Sequence, residues 1–194
     1  ERSGNKLDVD GRHQKVVETA GRLMVLGIDT ALQRSEHVIV RNLKGNHDEE
    51  TSSSIAWFLF AWYRNEPRVT IDCDESLFWF WSQNLLMLAG THGHEAKPQD
   101  MPGIMAHRQA AMWGRTRWRY AYTFHVHHHS KYATEGQGVI SETHQAPIPQ
   151  DAWHYGAGFL SGRSLQGITY DNRFGEISRV RVAMMDADEE RIAA

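Results

Sequence analysis

Arg119-Tyr120-Ala121-Tyr122-Thr123-Phe124 runs without a break into His125-Val126-His127-His128-His129. The first part predicts a strand over 119–124, because aromatic and β-branched side chains at period two suit a pleated, half-buried surface. The second part sets a cluster of imidazoles just past the carboxyl end of that strand. The same arrangement occurs twice upstream. Leu85 to Ala89 reads as a strand leading into Gly90-Thr91-His92-Gly93-His94, and His37-Val38-Ile39-Val40-Arg41-Asn42 as a strand leading into Lys44-Gly45-Asn46-His47-Asp48. Seven of the 12 histidines lie in these three loops. Ligands of α/β sheets gather outside the carboxyl ends of strands, so the three loops are expected to converge on one site.

The segments around them set the fold class. From His13 to Leu32, Val16, Val17, Ala20, Leu23, Met24, Ile28 and Ala31 recur at helical spacing, which predicts an amphipathic helix. Thr51 to Ser54 offer N-cap residue types for a second helix through Trp57, Phe58, Phe60, Ala61, Trp62 and Tyr63, closed by Pro67. That helix is apolar nearly all round and is expected to be buried against a sheet. Val69-Thr70-Ile71 and Leu77 to Trp81 read as strands, with a turn at Ser82-Gln83-Asn84, and Ile104 to Trp113 reads as a helix. Gly138 to Gln145, Gly167 to Asp171 and Glu176 to Met184 read as β-structure, and Asp151 to Phe159 as a short helical or irregular piece. Helices and strands alternate first and strands dominate later, which predicts an α/β layered sandwich with a partly antiparallel sheet. No repeat or linker divides the chain, and its 194 residues are expected to form a single domain.

Composition narrows the classes. With 41% hydrophobic and 10% aromatic residues the chain can bury a core and is not a disordered segment. The most apolar run, Ser54 to Tyr63, is too short to span a bilayer, so no membrane partner is expected. The only cysteine, Cys73, excludes an internal disulfide and fits a reducing compartment, giving a cytoplasmic expectation. A net charge of −3 gives no global attraction to nucleic acid, so a nucleic-acid substrate requires a local basic patch.

Imidazole nitrogens and an asparagine carbonyl oxygen are suitable donors for manganese, iron or zinc. On these residues the chain resembles the calcineurin-like metallophosphoesterases. Gly45-Asn46-His47-Asp48 is similar to their G-N-H-D/E block, His92-Gly93 to their isolated metal-binding histidine, and Phe124-His125-Val126-His127 to their terminal G-H-x-H block. Thr91-His92-Gly93-His94, Tyr120-Ala121-Tyr122 and Ser161-Gly162-Arg163-Ser164 resemble phage or prophage members identified as DNA-repair-type exonucleases. The resemblance implies an α-β-β-α sandwich, two divalent metal ions, manganese foremost with zinc or iron as alternatives, and DNA as substrate. It also implies that Asn46, His92 and His125 bind the second metal and His127 the first. His47 would protonate the leaving oxygen or stabilise charge on the phosphate, with Asp48 holding its imidazole. Two cations a few ångströms apart clamp a phosphate and activate water, which is the chemistry such a site needs.

Two departures from that pattern stand out. Phe124 takes the place of the G-H-x-H glycine, and a phenylalanine lacks glycine's backbone freedom, so the loop is expected to be reshaped. The family's upstream Asp-x-His and Gly-Asp blocks have no counterpart before Gly45, where the candidates are Asp8, Asp10, His13, Asp29 and His37. The chain is therefore expected to be the C-terminal part of a longer protein whose leading strands supply the other ligands. The alternative is an inactive metallophosphoesterase-like binding or scaffold domain.

Arg115-Thr116-Arg117-Trp118-Arg119 alternates basic and aromatic residues ahead of the third histidine loop. Arg115, Arg117 and Arg119 either grip phosphates beside a stacked base or lie on the outward face of an edge strand. Trp57 to Tyr63 and Phe78 to Trp81 are expected in the core, and Asp72-Cys73-Asp74-Glu75 in a polar turn.

Overall fold

A computed structural model describes residues 13–125, 134–147 and 162–184. The chain is mixed α/β, as expected, and divides into two compact units after Leu77.

The first unit contains α1 (His13–Leu32), β1 (Val38–Arg41), α2 (Glu49–Trp62) and β2 (Val69–Asp72). β1 and β2 pair in parallel, Val38 opposite Val69 and Arg41 opposite Asp72, with α2 as the crossover. Ile28 of α1, Ile55 and Leu59 of α2, and Tyr63 just past it form the buried cluster, and Val38, Val40, Val69 and Ile71 pack against it. Ile55, Leu59 and Tyr63 are four residues apart, so a single stripe of α2 faces the strands. The expectation that α2 is buried all round is corrected. Trp57, Phe58, Phe60 and Trp62 are exposed, with Trp57 and Trp62 each retaining 58% of their accessible surface. A helix lying on a two-stranded sheet has one covered stripe. The outer rings contact one another along the helix instead, Trp57 edge-on to Phe60 and Phe58 tilted against Trp62, each pair with centroids 5.5 Å apart.

Arg41, at the carboxyl end of β1, has its side chain 5% exposed. It donates to Asp72 at 2.9 Å, to Asp74 at 3.1 Å and to the Ser76 carbonyl at 2.6 Å. Asp72 to Glu75 is thus a polar loop gathered round one guanidinium, in line with the turn expected there.

The second unit contains β3 (Phe78–Gln83), β4 (Leu86–Thr91), a 3₁₀ turn (Pro98–Asp100), α3 (Met101–Arg108), α4 (Ala110–Arg115), β5 (Trp118–Thr123), β6 (Thr134–Gly136), β7 (Val139–Thr143), β8 (Ser164–Asp171) and β9 (Gly175–Ala183). The sheet order is β3-β4-β5-β7-β6, with β8 and β9 paired as a separate antiparallel hairpin. β4, β5 and β7 run parallel at the centre, and β3 and β6 are antiparallel edges. The single helix expected over Ile104 to Trp113 is two, jogged at Gln109. Asp151 to Phe159 lies outside the described residues.

β5 is the middle strand, with Leu86 opposite Trp118 on one side and Ile140 opposite Tyr120 on the other. This corrects the edge-strand alternative for the Arg115–Arg119 stretch. One face of β5 is covered by the hairpin. Trp118 Nε1 donates to the Arg173 carbonyl at 2.7 Å, the Glu176 N–H donates to the Tyr120 hydroxyl at 2.8 Å, and Tyr120 packs on Tyr170 at 4.9 Å. A Cβ at position 175 would stand 2.6 Å from that hydroxyl, and Gly175 has φ +83°, so glycine is required there. The other face presents Met87, Ala89, Ala121 and Ser141, all buried, and α3 lies against β7 with Met101 and Met105 fully buried. Among the described residues no helix is long and apolar enough to cross a membrane.

Leu59→Ala is expected to destabilise the first unit by about 2–5 kcal/mol through lost apolar burial and a residual cavity. Urea unfolding followed by circular dichroism measures it.

Candidate metal centre

The parallel course of β4 and β5 sets their carboxyl ends side by side, which places His92 directly after β4 and His125 two residues past β5. The carbonyl of His92 accepts the Phe124 N–H at 3.0 Å and the His125 N–H at 2.7 Å. These bonds clasp the two loops together. Gly93 makes the clasp possible: its φ is +101°, and a Cβ would lie 3.2 Å from Thr123 Cβ and 3.6 Å from His125 Cβ. Phe124, by contrast, has no positive φ. Glycine's conformational freedom is not used at that position.

His92 Nε2 and His125 Nδ1 are 3.1 Å apart, one ring's N–H donating to the other's nitrogen, with centroids 5.0 Å apart. Two imidazole nitrogens bound to one ion at about 2.0–2.1 Å stand roughly 2.9 Å apart at a right angle and roughly 3.4 Å apart at the tetrahedral angle. The observed separation falls within that range. His94, two residues past His92 in the same loop, completes a cluster of rings. Its centroid lies 5.3 Å from that of His92 and 6.2 Å from that of His125. Its side chain is 10% exposed and its Nε2 is 3.7 Å from Glu95 Oε1. Its Nδ1 is buried without a hydrogen-bond partner.

His144 follows β7 at the same end of the sheet, and its backbone N–H donates to the Thr123 carbonyl at 2.8 Å. Its ring packs on Tyr122 and Phe124, and Nε2 is 3.3 Å from Glu142 Oε2. Glu142 is also held by Arg179 from β9, through both carboxylate oxygens. Burial pushes the Glu142 carboxyl up, but the hydrogen bonds from His144 and Arg179 prevail and bring it down to about 2.

Asn46, His47 and Asp48 lie in the first unit, between β1 and α2. The Asn46 amide donates to His47 Nε2 at 3.1 Å, and the Gly45 N–H donates to Asp48 Oδ1 at 2.6 Å. Asp48 thus steadies the loop through Gly45, and the group on the His47 imidazole is Asn46. His47 and Asp48 are exposed. His127, His128 and His129 lie outside the described residues.

The three arginines separate by environment. Arg119 donates to the carbonyls of Trp113, Thr116 and Gly138, and its guanidinium lies 4.1 Å from the Trp113 ring centroid. Arg119 therefore holds the α4–β5 connection, and its burial pushes the guanidinium pKa down. Arg115 reaches Ser82 at 3.2 Å, and Arg117 lies over the Trp118 ring at 5.0 Å. Among the described residues no group of three or more His, Cys, Asp or Glu side chains is arranged to hold a metal ion.

Gly93→Ala is expected to cost about 1–3 kcal/mol, from a left-handed backbone and the Thr123 contact, measurable as a fall in thermal midpoint. The depressed Glu142 carboxyl makes a second expectation. Its contribution to stability is complete above the ordinary carboxylate range near 4.5 and is lost as pH falls through about 2. Urea midpoints recorded from pH 5 to pH 2 should fall less steeply for Glu142→Gln than for wild type. Comparison of the chain with protein-family models, with curated proteins and with solved structures returns no match in any of the three.

Proposed function

We propose that the chain is a metal-dependent phosphodiesterase of the calcineurin-like metallophosphoesterase class, with an α-β-β-α sandwich fold, acting on DNA. The observation that carries this reading is the His92–His125 pair, with nitrogens 3.1 Å apart at the carboxyl ends of adjacent parallel strands. Asn46, His92 and His125 would hold one divalent ion and His127 the other, with manganese as the metal and zinc or iron served by the same donors. A bound divalent ion polarises a phosphoryl oxygen and stabilises the charge that develops on it. The chain's own residues supply the rest. His47 donates a proton to the leaving oxygen, its ring positioned by the Asn46 amide. Asp48 keeps the loop closed through Gly45. Arg115 and Arg117 meet the phosphates flanking the scissile bond, whereas Arg119 supports them from the buried side.

Protein expressed from its whole native reading frame, supplied with manganese and a DNA phosphodiester, is expected to hydrolyse it. His47→Ala should lower the rate about 10²–10⁴-fold, the range of general acid catalysis. His125→Ala should abolish manganese dependence. Unchanged manganese-dependent hydrolysis in both variants would refute the assignment.

A further inference from the structure

We infer that the chain forms a two-fold homodimer through the groove between α1 and α2, with α1 of one copy lying antiparallel against α1 of the other. The groove is an open hollow of about 660 Å³ in the first unit, walled by Val17, Val25 and Leu26 of α1 and by Ile55, Phe58 and Trp62 of α2. Gly21 sets its floor. A Cβ there would stand 3.3 Å from the Phe58 ring, so the ring lies close against the backbone of α1. Leu26, Phe58 and Trp62 stay exposed, Leu26 at 62%. Removing such a contiguous apolar surface from water is favourable, and a patch of this kind marks an interaction site.

The charges identify the partner. Arg22, Val25, Leu26 and Asp29 all line the groove, and they occupy positions i, i+3, i+4 and i+7 of α1. One helix face thus carries a cation at one end, an apolar centre and a carboxylate at the other. Such a pattern complements itself when reversed. About a two-fold axis between Val25 and Leu26, Val25 meets the partner's Leu26 and Arg22 meets the partner's Asp29, and symmetry repeats both contacts. The two charged groups are ready for this. The Tyr63 hydroxyl donates to Asp29 Oδ1 at 2.7 Å and steadies the carboxylate on the groove wall. Arg22 meets Glu18 through one nitrogen at 2.6 Å, yet its side chain is 79% exposed. An exposed pair one helical turn apart is weak, and the guanidinium has further donors to give.

The size of the contact suits a specific, reversible dimer. The groove face runs from Val17 to Asp29, about 18 Å along α1, with the Phe58 and Trp62 rings beside it. The exposed parts of Leu26, Phe58 and Trp62, with the stems of the flanking α1 side chains, come to roughly 550 Å² per copy. Two copies then bury about 1,100 Å², above the roughly 1,000 Å² of a specific interface and well short of an obligate one. Exchange between monomer and dimer is therefore expected at micromolar concentrations. A small apolar molecule would fill the same walls but would leave the opposed charges at the two ends of the face unused.

Sedimentation equilibrium of the whole chain from about 1 to 200 µM tests the dimer and needs no enzymatic activity. The wild-type chain is expected to associate to a dimer and no further. Arg22→Asp sets two carboxylates face to face at both ends of the contact, and Asp29→Arg does the same with two guanidiniums. Each should weaken dimerisation at least about 30-fold. Mixed in equal amounts, the two variants should pair with each other, because every facing pair is then opposite in sign. Both positions are exposed, and circular dichroism checks that each variant keeps its fold. Leu26→Glu, which sets a charge at the apolar centre, should also give a monomer and decides the matter if Asp29→Arg does not fold. A wild-type chain that stays monomeric at about 200 µM would overturn the inference and leave the groove to an apolar small molecule or another protein's helix. A dimer indifferent to both charge reversals would overturn it too, as would two weakened variants that do not pair on mixing.

Discussion

The carbonyl oxygen of His92 accepts two successive backbone N–H groups, those of Phe124 and His125, and the histidine-bearing end of the central sheet depends on that clasp. It joins the loops leaving two parallel strands, and it brings one imidazole from each to within hydrogen-bonding distance. Parallel pairing of β4 and β5 sets both carboxyl ends at one edge of the sheet. Close approach then requires a residue without a side chain at position 93, where a Cβ would press on Thr123. Polar backbone groups at strand ends must find partners, and here the partners lie in the neighbouring loop instead of solvent.

The clasp rests on a strand supported from both faces. Trp118, Tyr120 and Tyr122 meet the β8–β9 hairpin, with Tyr120 taking the Glu176 N–H and Tyr122 bonding to the Tyr170 hydroxyl. On the other face, Ala89, Ala121 and Ser141 are buried, and α3, with Met101 and Met105 buried, lies against β7. Arg179 extends the same support to β7, since it reaches from the hairpin to Glu142, which in turn meets His144 beside the histidine loops. The Arg179–Glu142 pair crosses from one sheet to the other, and it carries weight because the Glu142 side chain is only 16% exposed.

The first unit uses a different device. A parallel βαβ pair leaves Arg41 at its carboxyl end, and that arginine draws Asp72, Asp74 and the Ser76 carbonyl around itself. The Asn42 to Asp48 loop begins one residue later and is tied down at its own ends, by the Asn42 amide on the Ser52 carbonyl and by Gly45 on Asp48. The loop that carries Asn46 and His47 is therefore anchored locally before any ligand is considered.

Local pattern determined the type and order of the first helices and strands, but neither the break at Gln109 that divides α3 from α4 nor the short strand β6. The span of α1 and the strands before each histidine loop follow from periodicity, because 3.6-residue and two-residue repeats are properties of consecutive side chains. The histidine surplus and its position after strands were equally legible. Composition could not say which face of α2 is covered, since Trp57 and Trp62 are as apolar as Leu59 and only the neighbouring strands choose between them. Nor could the alternation of Arg117, Trp118 and Arg119 reveal whether its strand lies at an edge or in the centre, because pairing partners are distant in sequence. The pairing of His92 with His125, the stranded nitrogen of His94 and the commitment of Arg119 to backbone carbonyls were decided by tertiary structure. Each depends on a distance between residues that share a sheet without sharing a segment, and such distances are set by packing and pairing.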